Sequence, residues 1–236
     1  MNIRFHQLLI AGIAIWMVIS PGSEYWTLQD DRLLPARYLS HWSTQVPTTR
    51  ADLDLDGIEE RLAVQSGQAA IFEENEIAWL SPEDWTVQQA EMVDFNQDGT
   101  TEIALIVWRP FESWPIDSYL PNGGRISSFQ DISGNSCHLI LVGWRRGKYQ
   151  ELWAGSALAE PIRSFAAADL DGDGDQELIV LEGNYSDTPG DLASALAVWE
   201  WNGFGFSLVA RREGPYKFLE IVSYGSQYPL ILTTPY

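Results

Sequence analysis

A chain of 236 residues, 45% hydrophobic and 20% charged, is long enough for one sizeable core and is not disordered in composition. Its formal net charge of -19 and pI near 4.3 exclude nucleic acids and anionic membrane surfaces as partners held by bulk electrostatics, and favour cations. A single cysteine, Cys137, excludes an intramolecular disulfide and reads as a small buried apolar residue.

The first 23 residues read as a signal peptide or an uncleaved N-terminal membrane anchor. Arg4 and the amino terminus supply positive charge, residues 8–19 are continuously apolar or Gly, and Ser20, Pro21 and Gly22 follow. Twelve such residues suit a signal segment better than a full span, which needs about 20. No A-x-A cleavage site is present, and Trp26 suits a membrane interface, so the anchor stays open. Either reading places the domain outside the cytoplasm. Residues 24–45 read as a linker or a closing strand, and residues 46–236 as the main domain.

One motif, D-x-[DN]-x-D-G-x-x-E, occurs three times, beginning at Asp52, Asp94 and Asp169. Each copy precedes a short apolar stretch, at residues 61–65, 103–108 and 178–181, and the second and third also follow one. Strand, acidic loop, strand is therefore the unit. A hairpin follows each unit. It is clearest where Asn202-Gly203 stands between alternating aromatics, and similar shapes surround Gly147 and Asn75. Three units of roughly four strands each have the content of propeller blades.

The repeat spacings are 42 and 75. The excess falls within the second unit, and removing residues 109–136 leaves 47, close to a typical blade length of roughly 40 to 45. A fourth unit without acidic ligands is expected to begin near residue 214, with its first strand from Lys217 and its missing strands supplied by residues 23–49, which would hide the exposed edges. The predicted fold is all-β, a small propeller or propeller-like array of about four blades.

The loop suits Ca²⁺, which takes 6 to 8 hard oxygen ligands. Side chains at positions one, three and five, a backbone carbonyl at seven and a bidentate carboxylate at nine supply them, and Gly at six permits the turn. The predicted sites are Asp52, Asp54, Asp56, Ile58 (carbonyl) and Glu60; Asp94, Asn96, Asp98, Thr100 (carbonyl) and Glu102; and Asp169, Asp171, Asp173, Asp175 (carbonyl) and Glu177. About three Ca²⁺ ions are thus expected. An EF-hand would need Glu at its twelfth position, where this chain has Ala63, Leu105 and Val180. Mg²⁺ prefers small, water-rich octahedral sites and suits the loop less well.

These loops, their flanking strands and the strand-hairpin units resemble the FG-GAP/VCBS repeat superfamily, which includes the amino-terminal propeller of integrin α-subunits. The resemblance spans residues 46–236, with the acidic loop as its specific part. It implies a β-propeller with calcium in the turns between strands. Phe204-Gly205 precedes no acidic loop and Gly-Ala-Pro is absent.

Three functions are compatible with such a chain: a non-catalytic recognition, adhesion or scaffold module with a protein or glycan partner outside the cytoplasm; a propeller-based polysaccharide lyase or hydrolase; and a structural subunit of an envelope complex. Apart from His6 in the leader, only His41 and His138 remain, and neither lies in a recognisable catalytic context. The insertion at residues 109–136 carries Arg109, Phe111, Trp114, Tyr119 and Arg125, stiffened by Pro110, Pro115 and Pro121, and is the expected binding surface. Trp199 and Trp201 share one strand face and read as core or sheet cover.

Overall fold

The computed structural model describes residues 22–37, 43–112, 128–188, 190–223 and 228–234, and among them the β-branched and aromatic stretches form seventeen strands. No helix occurs among the described residues. Residues 1–21 of the predicted leader (1–23) lie outside them, as do His41 and the insertion residues Trp114, Pro115, Tyr119, Pro121 and Arg125.

Four antiparallel sheets make a four-bladed β-propeller. Blade 1 is a meander of β4 (Arg50–Ala51), β5 (Glu60–Gln65), β6 (Gln68–Glu73) and β7 (Glu76–Leu80). Blade 2 follows with β8 (Thr86–Val93), β9 (Glu102–Pro110), β10 (Asn135–Arg145) and β11 (Lys148–Ala154). Blade 3 contains β12 (Ile162–Ala168), β13 (Glu177–Glu182), β14 (Ala193–Trp201) and β15 (Phe206–Tyr216). Arg109 and Pro110 end β9, and Asn135 and Ser136 begin β10, so the long connection of blade 2 occupies residues 111–134 rather than 109–136.

Blade 4 is built from both ends of the chain. Its order is β3 (Ser43–Thr44), β16 (Phe218–Ser223), β17 (Leu230–Thr234), β1 (Glu24–Gln29) and β2 (Arg32–Ala36). Trp26 of β1 faces Ile231 of β17 and donates its indole N–H to Thr233 Oγ1 at 3.0 Å. The β1–β2 turn places Asp30 and Asp31 at φ 48° and 56°, the left-handed pair that matches the twist of a tight hairpin.

Apolar faces pack between neighbouring blades. Leu53, Leu62 and Ile71 meet Val87, Met92 and Ile140 between blades 1 and 2. Ile106 and Leu139 meet Phe165 and Val180 between blades 2 and 3, with Cys137 buried beside them as expected from its apolar character. Ile179 and Leu196 meet Trp26 and Ile221 between blades 3 and 4. Trp199 and Trp201 lie half-buried against the second of these seams.

Residues 43–51 join blade 4 to blade 1 by backbone bonds. Gln45 N–H donates to Ile221 of β16, whereas the carbonyls of Thr48 and Thr49 accept from Met92 of β8 and Leu62 of β5. One short segment thereby ties strands of three blades together. Side-chain amides do the same between blades 2 and 3, where Gln89 both donates to the Phe165 carbonyl (2.7 Å) and accepts from its N–H (3.0 Å).

Candidate metal centres

Each acidic loop joins the first strand of a blade to the second, so in three consecutive blades it occupies the same place. The local fold follows from the side-chain oxygens. At position one, Asp52, Asp94 and Asp169 each accept the N–H of the position-six glycine at 2.9–3.1 Å. At position three, Asp54, Asn96 and Asp171 accept the position-five N–H at 3.0–3.1 Å. Position five then accepts from position seven at 2.8–2.9 Å, so Ile58, Thr100 and Asp175 donate their amides within the loop. These side-chain turns compete with regular structure and hold the loop in a tight coil. Gly57, Gly99 and Gly174 sit at φ 92°, 80° and 101°, a region that a side chain would strain.

The glutamate at position nine is the first residue of the following strand and is buried: Glu60 is 0% exposed, and Glu102 and Glu177 are each 1% exposed. One carboxylate oxygen reaches back to the N–H of position two, at 2.6 Å for Leu53, 3.1 Å for Phe95 and 2.6 Å for Leu170. The other oxygen of Glu60 (Oε1) and of Glu102 (Oε2) is buried with no hydrogen-bond partner. A buried, unpartnered carboxylate oxygen is costly unless a cation or proton meets it.

Three acidic groups capable of holding a metal ion result, with oxygens within 4.8 Å of one another: Asp52, Asp54 and Glu60; Asp94, Asp98 and Glu102; and Asp169, Asp171 and Glu177. Asn96 adds an amide oxygen to the second loop. Asp56 and Asp173 stand outside the carboxylate groups, each accepting an N–H from position seven. All donors are hard oxygens, as a hard divalent cation requires. Burial first, then the neighbouring carboxylates, push Glu102 up to about 8 and Glu177 up to about 7 against the opposing backbone bonds; Glu60 is raised in the same way. Metal and proton therefore compete for the same oxygens.

Neighbouring elements add features that the nine-residue pattern does not contain. Position two is apolar in every copy, and Leu53, Phe95 and Leu170 are at most 1% exposed, anchoring each loop to a core seam. Gln176, at position eight of the third loop, accepts the Asp94 N–H at 2.9 Å and so links the second loop to the third. The Tyr149 hydroxyl of β11, buried without a partner of normal geometry, faces Glu60 across the seam between blades 1 and 2; burial and then that charge raise its pKa. Gly172 lies at φ 84° where a Cβ would fall 1.8 Å from the Tyr228 ring, so blade 4 rests on the third loop at this point.

His138 is buried. Its Nδ1 lies 3.0 Å from the Gly155 carbonyl and carries the proton there, which leaves Nε2 to accept from Ser136 Oγ at 2.8 Å. Ser136 is only 1% exposed, so the pair is part of the packing of β10.

No protein-family model matches this chain, and no curated protein does.

Proposed function

We propose that the chain is an exported calcium-binding β-propeller of the FG-GAP/VCBS type, a non-catalytic recognition or scaffold module for a protein or glycan partner outside the cytoplasm. The observation that carries the metal half is Glu102 Oε2, a buried carboxylate oxygen without a partner, within one of three equivalent all-oxygen groups. Calcium is favoured over softer metals because no His or Cys joins the groups, and over Mg²⁺ because each loop offers several protein oxygens where Mg²⁺ prefers a small, water-rich shell. Export is supported by the charged and then apolar amino-terminal segment.

Melting of the purified chain with millimolar Ca²⁺, with Mg²⁺ and with chelator tests the metal. Calcium raises the melting temperature, magnesium much less, and an unchanged temperature between chelator and Ca²⁺ defeats the assignment. Fractionation of the native host tests export: recovery in soluble cytoplasm with the leader intact contradicts it, and recovery in membranes selects the anchor over the signal peptide. Turnover of an oligosaccharide by the calcium-loaded protein would replace the recognition role with a lyase or hydrolase.

A further inference from the structure

In a four-stranded antiparallel meander, the connection between the first two strands and the hairpin between the last two lie at the same end. Each acidic loop therefore has a hairpin tip beside it, and the three tips differ in charge. Blade 1 presents Glu73, Glu74 and Glu76, whereas blade 3 presents Asn202, Gly203 and Phe204. Blade 2 presents Arg145, Arg146 and Lys148, three cations within four residues of a chain that has only 14.

In blade 2 the loop and the basic tip enclose a cleft of about 420 Å³, whose walls include Asn96, Asp98, Glu102, Trp144 and Arg145. Glu102, whose Oε2 is buried without a partner, is one of the residues of this wall. Arg145 is exposed, and among the described residues the ion pairs belong to Arg163 and Arg211, not to it. Trp144 is 36% exposed and is held edge-on against Tyr149, with ring centroids 4.8 Å apart.

The other two loops are less open to an anion. Tyr149 faces Glu60 in the first, and Tyr228 covers Gly172 in the third. The second loop is also the least acidic: each metal-capable group has three carboxylates, but with Asn96 at position three the second loop has no further acidic residue among its nine, whereas the first and third have two more each. A divalent ion thus leaves a formal -1 over the nine residues of the second loop and -3 over those of the others, and Arg145 offsets what remains in the second.

We propose that this cleft binds an acidic saccharide, with Arg145 pairing with a uronate carboxylate and Trp144 packing against a sugar face. Guanidinium and carboxylate match as a planar fork, and an indole face suits the C–H side of a sugar ring. An acidic peptide would use Arg145 but would leave the half-exposed Trp144 ring without a function. The inference rests on the second loop holding a divalent cation.

Two calorimetric titrations of the full chain test it. The first adds Ca²⁺ alone. The second adds trigalacturonate to the calcium-loaded protein, with the neutral trigalactose and a hexa-aspartate peptide as comparators. Calcium uptake is expected, then uronate binding that exceeds neutral-sugar binding and disappears with chelator. R145Q should weaken the uronate by roughly tenfold or more, the effect of losing a charged hydrogen bond, without changing calcium uptake. W144A should weaken uronate and spare calcium, whereas K217Q, an exposed cation of blade 4, should change neither. E102Q should remove one calcium site and the uronate together. No calcium uptake overturns the metal reading and this inference with it. Calcium uptake without preferential uronate binding, or with binding indifferent to R145Q, overturns this inference alone. So does Arg145-dependent capture of hexa-aspartate without capture of the uronate.

Discussion

Blades 1–3 and blade 4 hold their inner connections by different means. In each of the first three a continuous stretch of chain coils into an acidic loop, pinned by a buried glutamate whose charge calls for a cation. Blade 4 has no such loop and is assembled from the two ends of the chain, held by the β1–β17 ladder and by Trp26 in the seam with blade 3. A metal-capable acidic coil and long-range apolar closure are thus alternative solutions to one problem, the fixing of a strand pair inside a ring. They should respond to different perturbations.

The largest effect should come from breaking the closure. Trp26 is 2% exposed, donates to Thr233, and carries the Arg212 guanidinium 4.3 Å above its ring. W26A should cost about 4 kcal/mol, the usual range for truncating a large buried aromatic. Denaturant unfolding in saturating calcium measures it, and a loss that calcium restores would mean that the two kinds of blade are not independent.

Removing ions should act on the other three blades. Each site should contribute about 2.7 kcal/mol at a hundredfold excess over its dissociation constant. E177Q should remove one such increment in a calcium titration of stability, whereas D175N should change little because its side chain stands outside the metal-capable group. The corresponding loss from E60Q should add to that of W26A, since the first loop packs in the seam between blades 1 and 2 and Trp26 in the seam between blades 3 and 4. Raising pH through 7 to 8 should strengthen calcium binding, because Glu102 and Glu177 must release protons that burial favours.

A third perturbation separates burial from ion chemistry. Glu91 on β8 is 6% exposed, with Gln89 Nε2 at 2.8 Å, and burial pushes its pKa up to about 7. The folded protein therefore holds a proton that the unfolded chain releases between pH 4.5 and 7, and stability falls as pH rises through that window. E91Q should remove this dependence and stabilise the protein by about 2 kcal/mol at pH 8. Thermal melts at pH 5 and 8 in saturating calcium check it; an equal response in both proteins would assign the slope to other groups.

How far the sequence reveals this molecule depends on the distance over which each feature is encoded. The acidic loops are legible because ligand order, the sixth-position glycine and the following apolar strand all lie within about a dozen residues. The need for closing strands is legible from the incomplete last unit, because an open sheet edge is unfavourable. The apolar second position, occupied by Leu53, Phe95 and Leu170, is visible in the repeat once its burial is known. Other features have no local signal. Residues 43–51 show no pattern that announces bonds to β5, β8 and β16, and the contacts of Tyr149 with Glu60 and of Gln176 with Asp94 join residues from different blades. The basic hairpin tip is plain in sequence, but its nearness to the second acidic loop depends on blade topology.

The smallest expected effect lies where the two kinds of blade touch. Position four of the loop has positive φ in every copy, at Leu55 (63°), Gln97 (62°) and Gly172 (84°). Side chains are therefore tolerated there in the first two loops at some strain, and backbone conformation alone does not demand the glycine of the third. Tyr228 does, because its ring occupies the space a Cβ would need. G172A should therefore destabilise by about 1 kcal/mol, part from the left-handed backbone and part from displacing the ring. Tyr228 is 60% exposed, so the ring has room to swing away, which keeps the cost small. In a double-mutant cycle, Y228A should recover the steric part of the G172A loss and leave the backbone part. The same cycle with calcium and with chelator sharpens the comparison. A coupling energy that grows in calcium would show that the ordered third loop supports blade 4, whereas an unchanged value would confine the contact to packing.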